Sequence, residues 1–133
     1  MSLDLDALPG DVLDFLAERH LATLTTLRKD GTPHVVPVGF TYDPATKTAR
    51  VITSGDSVKA RNASRPGAVA AICQVEGARW LTVSGRVRVD HDPEVVADAV
   101  ARYTERYRPP RPNPKRVALI IEVDRMLGFS PWT

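Results

Sequence analysis

The sequence predicts a mainly β protein: an antiparallel barrel with short helices, formed by one domain that spans residues 1–133. Three observations favour this fold. About six short stretches have strand-like composition, tight turns rich in Gly, Pro and Asp separate them, and three brief segments carry helix signals. Antiparallel strands joined by tight turns close into a barrel, which the helices then plug or flank.

Three segments of the sequence carry helix signals. Apolar residues at helical spacing predict a helix over 11–19, and a short polar helix is predicted over 57–65. The third helix begins at Asp92-Pro93-Glu94, because Asp is a favourable N-cap and Pro suits the first helical position. It ends at the Pro-rich segment 108–114, which cannot continue a helix.

Six strands are predicted, over residues 21–28, 34–42, 49–53, 68–75, 79–89 and 117–123. Gly31 lies in the turn between the first two strands, where a hairpin tip requires a positive φ. Pro37 cannot donate a hydrogen bond to a neighbouring strand. Its place in the second strand therefore indicates a sheet edge, a bulge or a stretch that faces a ligand.

The composition excludes several classes of protein. Apolar residues make up 43% and charged residues 26% of the chain, which is ordinary for a soluble domain. The formal net charge of +2 is too small to indicate a nucleic-acid partner, so any basic function must be local. No apolar run approaches the ~20 residues needed to span a bilayer. No signal peptide is recognisable either, and we expect a cytoplasmic protein without a membrane partner.

The best candidate site is the segment 51–62, in which a strand ends, a glycine follows and a helix begins. Gly55 lets the backbone approach a ligand closely, and a helix that starts near Ser57 offers unpaired N–H groups that suit a phosphate. Thr53 and Ser57 add hydroxyl groups, and Lys59 adds positive charge. The same pattern is typical of an ordinary capped helix on a solvated face, so alone it leaves the function open.

Two further segments carry residues suited to binding. Arg79 and Trp80 open a strand and offer a charge and a flat surface to a ring system, although packing of Trp80 at the barrel rim explains the pair equally well. The Pro-rich loop and its flanks contain four cations that either receive the carboxylates of a ligand or remain solvated. These cations are Arg108, Arg111, Lys115 and Arg116.

No pattern in the sequence predicts chemistry carried out by side chains alone. The histidines His20, His34 and His91 lack metal-ligand spacing, so no metal site is predicted. No Ser/His/Asp or Cys/His arrangement can be assigned, and we name no catalytic residue. If the protein catalyses a reaction, a bound cofactor supplies the chemistry.

Several segments, taken in order, resemble the pyridoxamine-phosphate-oxidase-like superfamily. They are the stretch LATLTTLRKDGTPHVVPV at 21–38, Ile52 and Thr53 with Ser57 and Lys59, and Gly85 in its strand. Within the superfamily, the chain is similar to the branch that uses the deazaflavin coenzyme F420. Three stretches resemble the F420-dependent biliverdin reductases in particular, namely ERHLA at 18–22, VEGARWL at 75–81 and RPPRPNP at 108–114.

This resemblance implies a homodimer of FMN-binding-like split β-barrels, with cofactor sites where the two subunits meet. The residues that would hold the cofactor phosphate are Thr53, Gly55, Ser57, Val58 and Lys59, with Asn62 in the same site. The backbone of His34, Val35, Val36, Pro37 and Val38 would lie along the deazaflavin ring. Arg79 and Trp80 would contribute from the same or the other subunit. Arg111 and Lys115 would meet anions, either the glutamate tail of F420 or the propionates of a tetrapyrrole substrate.

The reaction implied by the resemblance is hydride transfer from reduced F420 to the central methine bridge of biliverdin, which gives bilirubin. Two alternatives stay open. One is a reductase or oxidase that uses FMN on an unknown substrate, because FMN carries a phosphate that the same site would hold. The other is a non-catalytic protein that binds a flavin or a tetrapyrrole. The chain ends at 129–133 without the extended C-terminal segment of the pyridoxamine phosphate oxidases, so we do not expect their vitamin reaction.

Overall fold

Seven strands form one antiparallel sheet in the computed structural model, which describes residues 2–129. The strands are β1 (Ala22–Leu27), β2 (Pro33–Val38), β3 (Phe40–Asp43), β4 (Thr48–Ser54), β5 (Val69–Glu76), β6 (Arg79–Asp90) and β7 (Arg116–Phe129). The helices within the same residues are α1 (Gly10–Ala17), α2 (Val58–Ala63) and α3 (Pro93–Arg106). The predicted mainly β, antiparallel class and its three helices are confirmed. The final residues of the predicted domain, 130–133, lie outside the described part of the chain.

The predicted strand over 34–42 is wrong in one respect, because the structure divides it at Gly39 into β2 and β3. The strand order is β2-β1-β5-β6-β7-β4-β3, so these two consecutive strands form opposite edges of the sheet. One residue joins them, and the sheet therefore curls until its edges approach each other along an open seam. Pro37 lies in the edge strand β2, which confirms the first of its three interpretations.

The last strand is longer than the predicted 117–123, because β7 continues to Phe129 through a β-bulge. Ser84 pairs with Arg125 and Gly85 with Val123, which leaves Asp124 as the extra residue. A Cβ on Gly85 would lie 1.9 Å from the carbonyl oxygen of Glu122. Glycine is therefore required where the two strands come closest. The bulge interrupts the apolar pattern of β7, on which the predicted end of the strand depended.

The main apolar core lies on one face of the sheet and is covered by α1, which contributes Val12, Phe15 and Leu16. The helix α3 covers part of the other face, where Ala99 packs with Ala118 and Ile120. Both faces of β7 are thus buried along this stretch, which explains its continuous apolar sequence. Among the helices of residues 2–129, none has the length and apolar character needed to cross a membrane.

Candidate functional site

The turn between β4 and α2 holds the main group of predicted cofactor residues. Thr53 donates its hydroxyl to the Oγ of Ser57 at 3.2 Å, and this Oγ also accepts from the backbone N–H of Ala60 at 3.2 Å. The N–H of Gly55 donates to the carbonyl of Lys115 at 2.8 Å. A Cβ on Gly55 would lie 3.3 Å from that carbonyl oxygen, so a small residue is favoured here. Ser57 is therefore the N-cap of α2, and the helix begins next to it, where the sequence predicted a helix start.

Lys59 is the charged group in this turn that lacks a partner. Its side chain is half-buried and forms no hydrogen bond or ion pair with any residue in the range 2–129. Burial lowers the pKa of the Lys59 ammonium below its ordinary value, because the charged form loses solvation. An anion placed beside Lys59 would offset this cost. The lysine thus fits the phosphate of a cofactor.

Asn62 fixes α2 against the sheet. It is buried, and its Nδ2 donates to the hydroxyl of Thr26 in β1 at 3.0 Å. Its Oδ1 accepts from Arg65 at 2.9 Å, and Arg65 also donates to the carbonyl of Leu27. These bonds account for most of the hydrogen-bonding capacity of the Asn62 side chain. Asn62 therefore positions the helix that carries Lys59, and its predicted contact with the cofactor stays a prediction.

The edge strand β2 lies beside this anchor. His34 pairs with Thr26, the residue that accepts from Asn62, and Val38 pairs with Ala22 at the other end of the strand. The side chains alternate, with Val35 and Pro37 exposed and Val36 half-buried against the core. An edge strand leaves backbone N–H and C=O groups without a partner strand on one side. The predicted ring-binding segment 34–38 can therefore offer backbone hydrogen bonds to a ligand.

The Pro-rich loop packs directly onto the turn between β4 and α2. Asn113 donates to the Oγ of Ser54 at 2.8 Å, and the ammonium of Lys115 lies 3.3 Å from the carboxylate of Asp56. The structure thus brings two sequence-predicted sites together. The charge of Lys115 is already paired, whereas the guanidinium of Arg111 has no partner among the described residues.

Arg79 and Trp80 do not join this group within one chain. They lie at the start of β6, and seven positions, roughly 23 Å of extended strand, separate Arg79 from Arg86. Arg86 is the residue that pairs with Val69, at the end of β5 nearest α2. Arg79 instead binds Glu18 at 2.8 Å and Glu76 at 2.6 Å. The predicted contact of Arg79 and Trp80 with the cofactor, from the same or the other subunit, stays a prediction.

Sequence reasoning missed two groups of residues. His20, Glu18 and Glu76 converge with their ligand atoms within 4.8 Å of one another, although Glu76 is distant in sequence. Arg79 binds both carboxylates, and this arginine holds the pKa of Glu18 below its ordinary value. The cluster therefore already contains a cation, Arg79, that offsets part of its negative charge.

The second missed group surrounds Gly39, where β2 ends. Arg106 donates to the carbonyls of Glu18 and Phe40 at 2.8 and 2.6 Å and to the Oε1 of Gln74 at 2.6 Å. The hydroxyl of Tyr107 donates to the carbonyl of His20 and accepts from the N–H of Phe40. A Cβ on Gly39 would lie 3.0 Å from the ring of Tyr103. The spacing of Tyr103 and Tyr107 predicted a helix, but nothing in it identified Gly39 as their partner.

The comparison with known protein families shows which family the chain belongs to. Residues 8–129 match the pyridoxamine 5'-phosphate oxidase family. The chain belongs to this family. It is 58% identical over 123 residues to the F420H2-dependent biliverdin reductase of Mycobacterium tuberculosis (strain CDC 1551 / Oshkosh), an alignment that covers 92% of this chain and 89% of that protein.

Solved structures of this family share the fold. A conserved hypothetical protein from Mycobacterium tuberculosis superposes with a TM-score of 0.76 at 21% identity, covering 90% of this chain and 82% of the other. A protein described as an F420 reductase gives a TM-score of 0.70 at 24% identity, covering 86% and 94%. The split-barrel architecture expected from the sequence is therefore confirmed.

Proposed function

We propose that this protein is an F420-dependent reductase that transfers a hydride from reduced F420 to biliverdin, giving bilirubin. The observation that carries the proposal is the 58% identity, over nearly the whole chain, with a protein named for that activity. The cofactor supplies the hydride when it is bound. The central methine carbon of biliverdin receives the hydride, and one proton is added to a pyrrole nitrogen, so that two electrons and two protons balance the reduction.

The residues present fit the cofactor that this reaction requires. Lys59 provides an unpartnered, half-buried cation, and the hydroxyls of Thr53 and Ser57 lie beside it in the same turn. We assign the cofactor phosphate to this turn, with Gly55 and Val58 as backbone neighbours. The edge strand β2 would hold the ring through its backbone, which fixes the ring plane relative to the substrate.

We also propose that the protein acts as a homodimer. Five large apolar side chains are exposed near or within the neighbouring strands β2, β1 and β5, where a monomer would leave them in water. They are Leu21, Leu27, Val35, Val69 and Val75, with exposed fractions between 44% and 66%. A second copy seated on this face would bury them. It would also allow the partner's Arg79 and the partner's Trp80 to approach the cofactor.

Other parts of this proposal follow from the expected reaction. The partner is a small tetrapyrrole, and we expect neither nucleic acid nor a membrane to take part. The modest net charge of +2 agrees with this expectation. The cytoplasm, where reduced F420 would be regenerated, remains the predicted location.

The deciding experiment mixes purified protein, reduced F420 and biliverdin and follows the absorbance bands of the bilin and of oxidised F420. We expect bilirubin and oxidised F420 to form in equal amounts. Bilin binding without turnover would instead support a carrier, and turnover only with reduced FMN would support the flavin alternative. A titration of the protein with F420 and with FMN identifies the cofactor independently of the substrate.

A further inference from the structure

A groove lined by arginines runs from the Pro-rich loop to the end of β2. One cavity of about 640 Å³ lies against the loop, and a second of about 320 Å³ lies against Arg19, His20 and Leu21. The two cavities share the lining residues Tyr103 and Arg108, so they adjoin each other along this groove. We call it the arginine groove.

The arginine groove carries positive charge that the protein does not neutralise. Four arginines line it, namely Arg19, Arg108, Arg111 and Arg116. Among the described residues, no Asp or Glu lines the groove. Arg19 and Arg116 donate to backbone carbonyls, of Tyr107 and Arg111 respectively. The side chains of Arg108 and Arg111 have no hydrogen-bond or ion-pair partner in the range 2–129. Carboxylates are the natural partners of such guanidinium groups.

The walls of the groove favour a flat ligand. The rings of Tyr103 and Tyr107 lie 4.8 Å apart, and Pro109, Pro110 and Pro112 stiffen the loop that faces them. A flexible oligoglutamate tail needs cations alone, whereas a conjugated ring system gains from aromatic and apolar walls. The groove therefore matches an extended, conjugated molecule that carries carboxylates.

The position of the groove relates it to the proposed cofactor site. At one end Asn113 binds Ser54, which borders the turn assigned to the cofactor phosphate. At the other end Tyr103 and Tyr107 contact Gly39, the residue after the predicted ring-binding strand. A ligand in the groove would thus lie alongside the cofactor over its length.

We propose that the arginine groove is the substrate site and that Arg19, Arg108 and Arg111 hold the two propionates of a linear tetrapyrrole, with Tyr103 against its rings. This inference rests on the proposed function and adds two residues, Arg19 and Tyr103, to those predicted from sequence. It also assigns the substrate, and not the cofactor tail, to Arg108 and Arg111 of the Pro-rich loop.

The test compares biliverdin with its dimethyl ester, in which both propionates are uncharged. In the wild type we expect the free acid to have the lower KM and Kd. Arg108→Gln and Arg111→Gln should each raise the KM for biliverdin roughly tenfold, the low end for a charged hydrogen bond. Neither variant should change the KM for the ester, kcat, or the Kd of F420. Arg125→Gln is the matched control, because Arg125 is an exposed arginine of β7 outside the groove.

Tyr103→Leu tests the flat wall independently of charge. It should weaken the binding of biliverdin and of its dimethyl ester by the same factor. Thermal unfolding verifies that the variant is folded. Unchanged KM values in the arginine variants would overturn the proposal. So would a weaker Kd for F420 combined with an unchanged Kd for its tail-less deazaflavin, because the groove would then hold the tail.

The binding measurements separate this inference from the proposed function. If the wild type reduces biliverdin but the variants bind it normally, only the groove assignment fails. If the wild type shows no turnover with reduced F420, the proposed function fails. Loss of the preference for free biliverdin over its ester in the variants, measured by absorbance titration, would still support the groove.

Discussion

The cations at the start of β6 and those on the side of the Pro-rich loop differ in whether they are paired with carboxylates. At the start of β6, Arg79 is bound by two carboxylates and lies 4.5 Å from the centre of the Phe15 ring. On the side of the Pro-rich loop, Lys59, Arg108 and Arg111 have no such partners within residues 2–129. A cation that is already paired stabilises the chain locally, whereas an unpaired cation is available to a ligand. The contrast predicts that substitutions at the two ends affect different measurements.

The largest effect on stability is expected at Arg106, whose guanidinium donates to three part-buried acceptors. Arg106→Met leaves the carbonyls of Glu18 and Phe40 and the amide oxygen of Gln74 without this donor. We expect a loss of about 3 kcal/mol in the free energy of unfolding, measured with urea. Arg102→Met on the same helix is the control, because its pair with Asp98 is exposed and its contact with Asp43 is long at 3.6 Å, so the substitution should cost less than ~1 kcal/mol. Equal losses of unfolding free energy in the two variants would contradict this prediction.

The next effect concerns cofactor affinity. Lys59→Met should weaken F420 binding by about 1.5–3 kcal/mol, the value of a charged hydrogen bond, and Lys59→Arg should restore most of it. The unliganded Lys59→Met variant should be at least as stable as the wild type. Burial depresses the pKa of Lys59, so the charged form opposes folding fully below that pKa; the opposition decreases as the pH rises from there and is gone only above the ordinary lysine value of 10.5. An unchanged Kd would remove Lys59 from the site.

A smaller effect is expected from ionic strength. F420 carries more negative charge than FMN, so added salt should weaken F420 binding more steeply. Isothermal titrations at several salt concentrations give the two slopes. Arg125→Gln should leave both slopes unchanged, since Arg125 lies outside the proposed site. Equal slopes for the two cofactors would contradict the expectation that the additional carboxylates of F420 are attracted by the cations of this protein.

The smallest effect concerns the paired end of the sheet. The hydrogen bond from Arg79 lowers the pKa of Glu18 from its ordinary value near 4.5. The stability from this pair is fully present above pH 4.5 and is lost as the pH falls through the depressed pKa. Arg79→Met should therefore reduce the loss of stability that acid causes. We expect this as a flatter curve of Tm against pH below 4.5. An identical curve would mean that Glu18 is indifferent to Arg79.

Local chemistry predicted the class of the fold and most element positions. Turn residues such as Gly31 and the N-cap Asp92 act within a few residues of the sequence, and the structure contains them as expected. The split at Gly39 and the bulge opposite Gly85 were not predictable, because each depends on strands that are distant in sequence. Periodicity alone cannot distinguish one long strand from two that lie at opposite sheet edges.

The same distinction between local and long-range features applies to the candidate site. The turn from Thr53 to Lys59 is contiguous in sequence, so its hydroxyls and cation could be recognised together. The contact of Asn113 with Ser54 joins two segments about sixty residues apart, and Arg19 reaches the groove from the end of α1. Such associations follow from tertiary packing and have no signature in local sequence. The family resemblance supplied the chemistry that the residues alone left open.

The strand order also has a consequence for how the protein is made. The sheet positions β7 between β6 and β4, although β7 is the last strand to leave the ribosome. Two early hairpins, β1 with β2 and β3 with β4, form locally, but their exposed sides wait for this final insertion. Nascent chains that stop before residue 116 should therefore remain open to proteases and chaperones, because β6 and β4 then lack the strand that joins them.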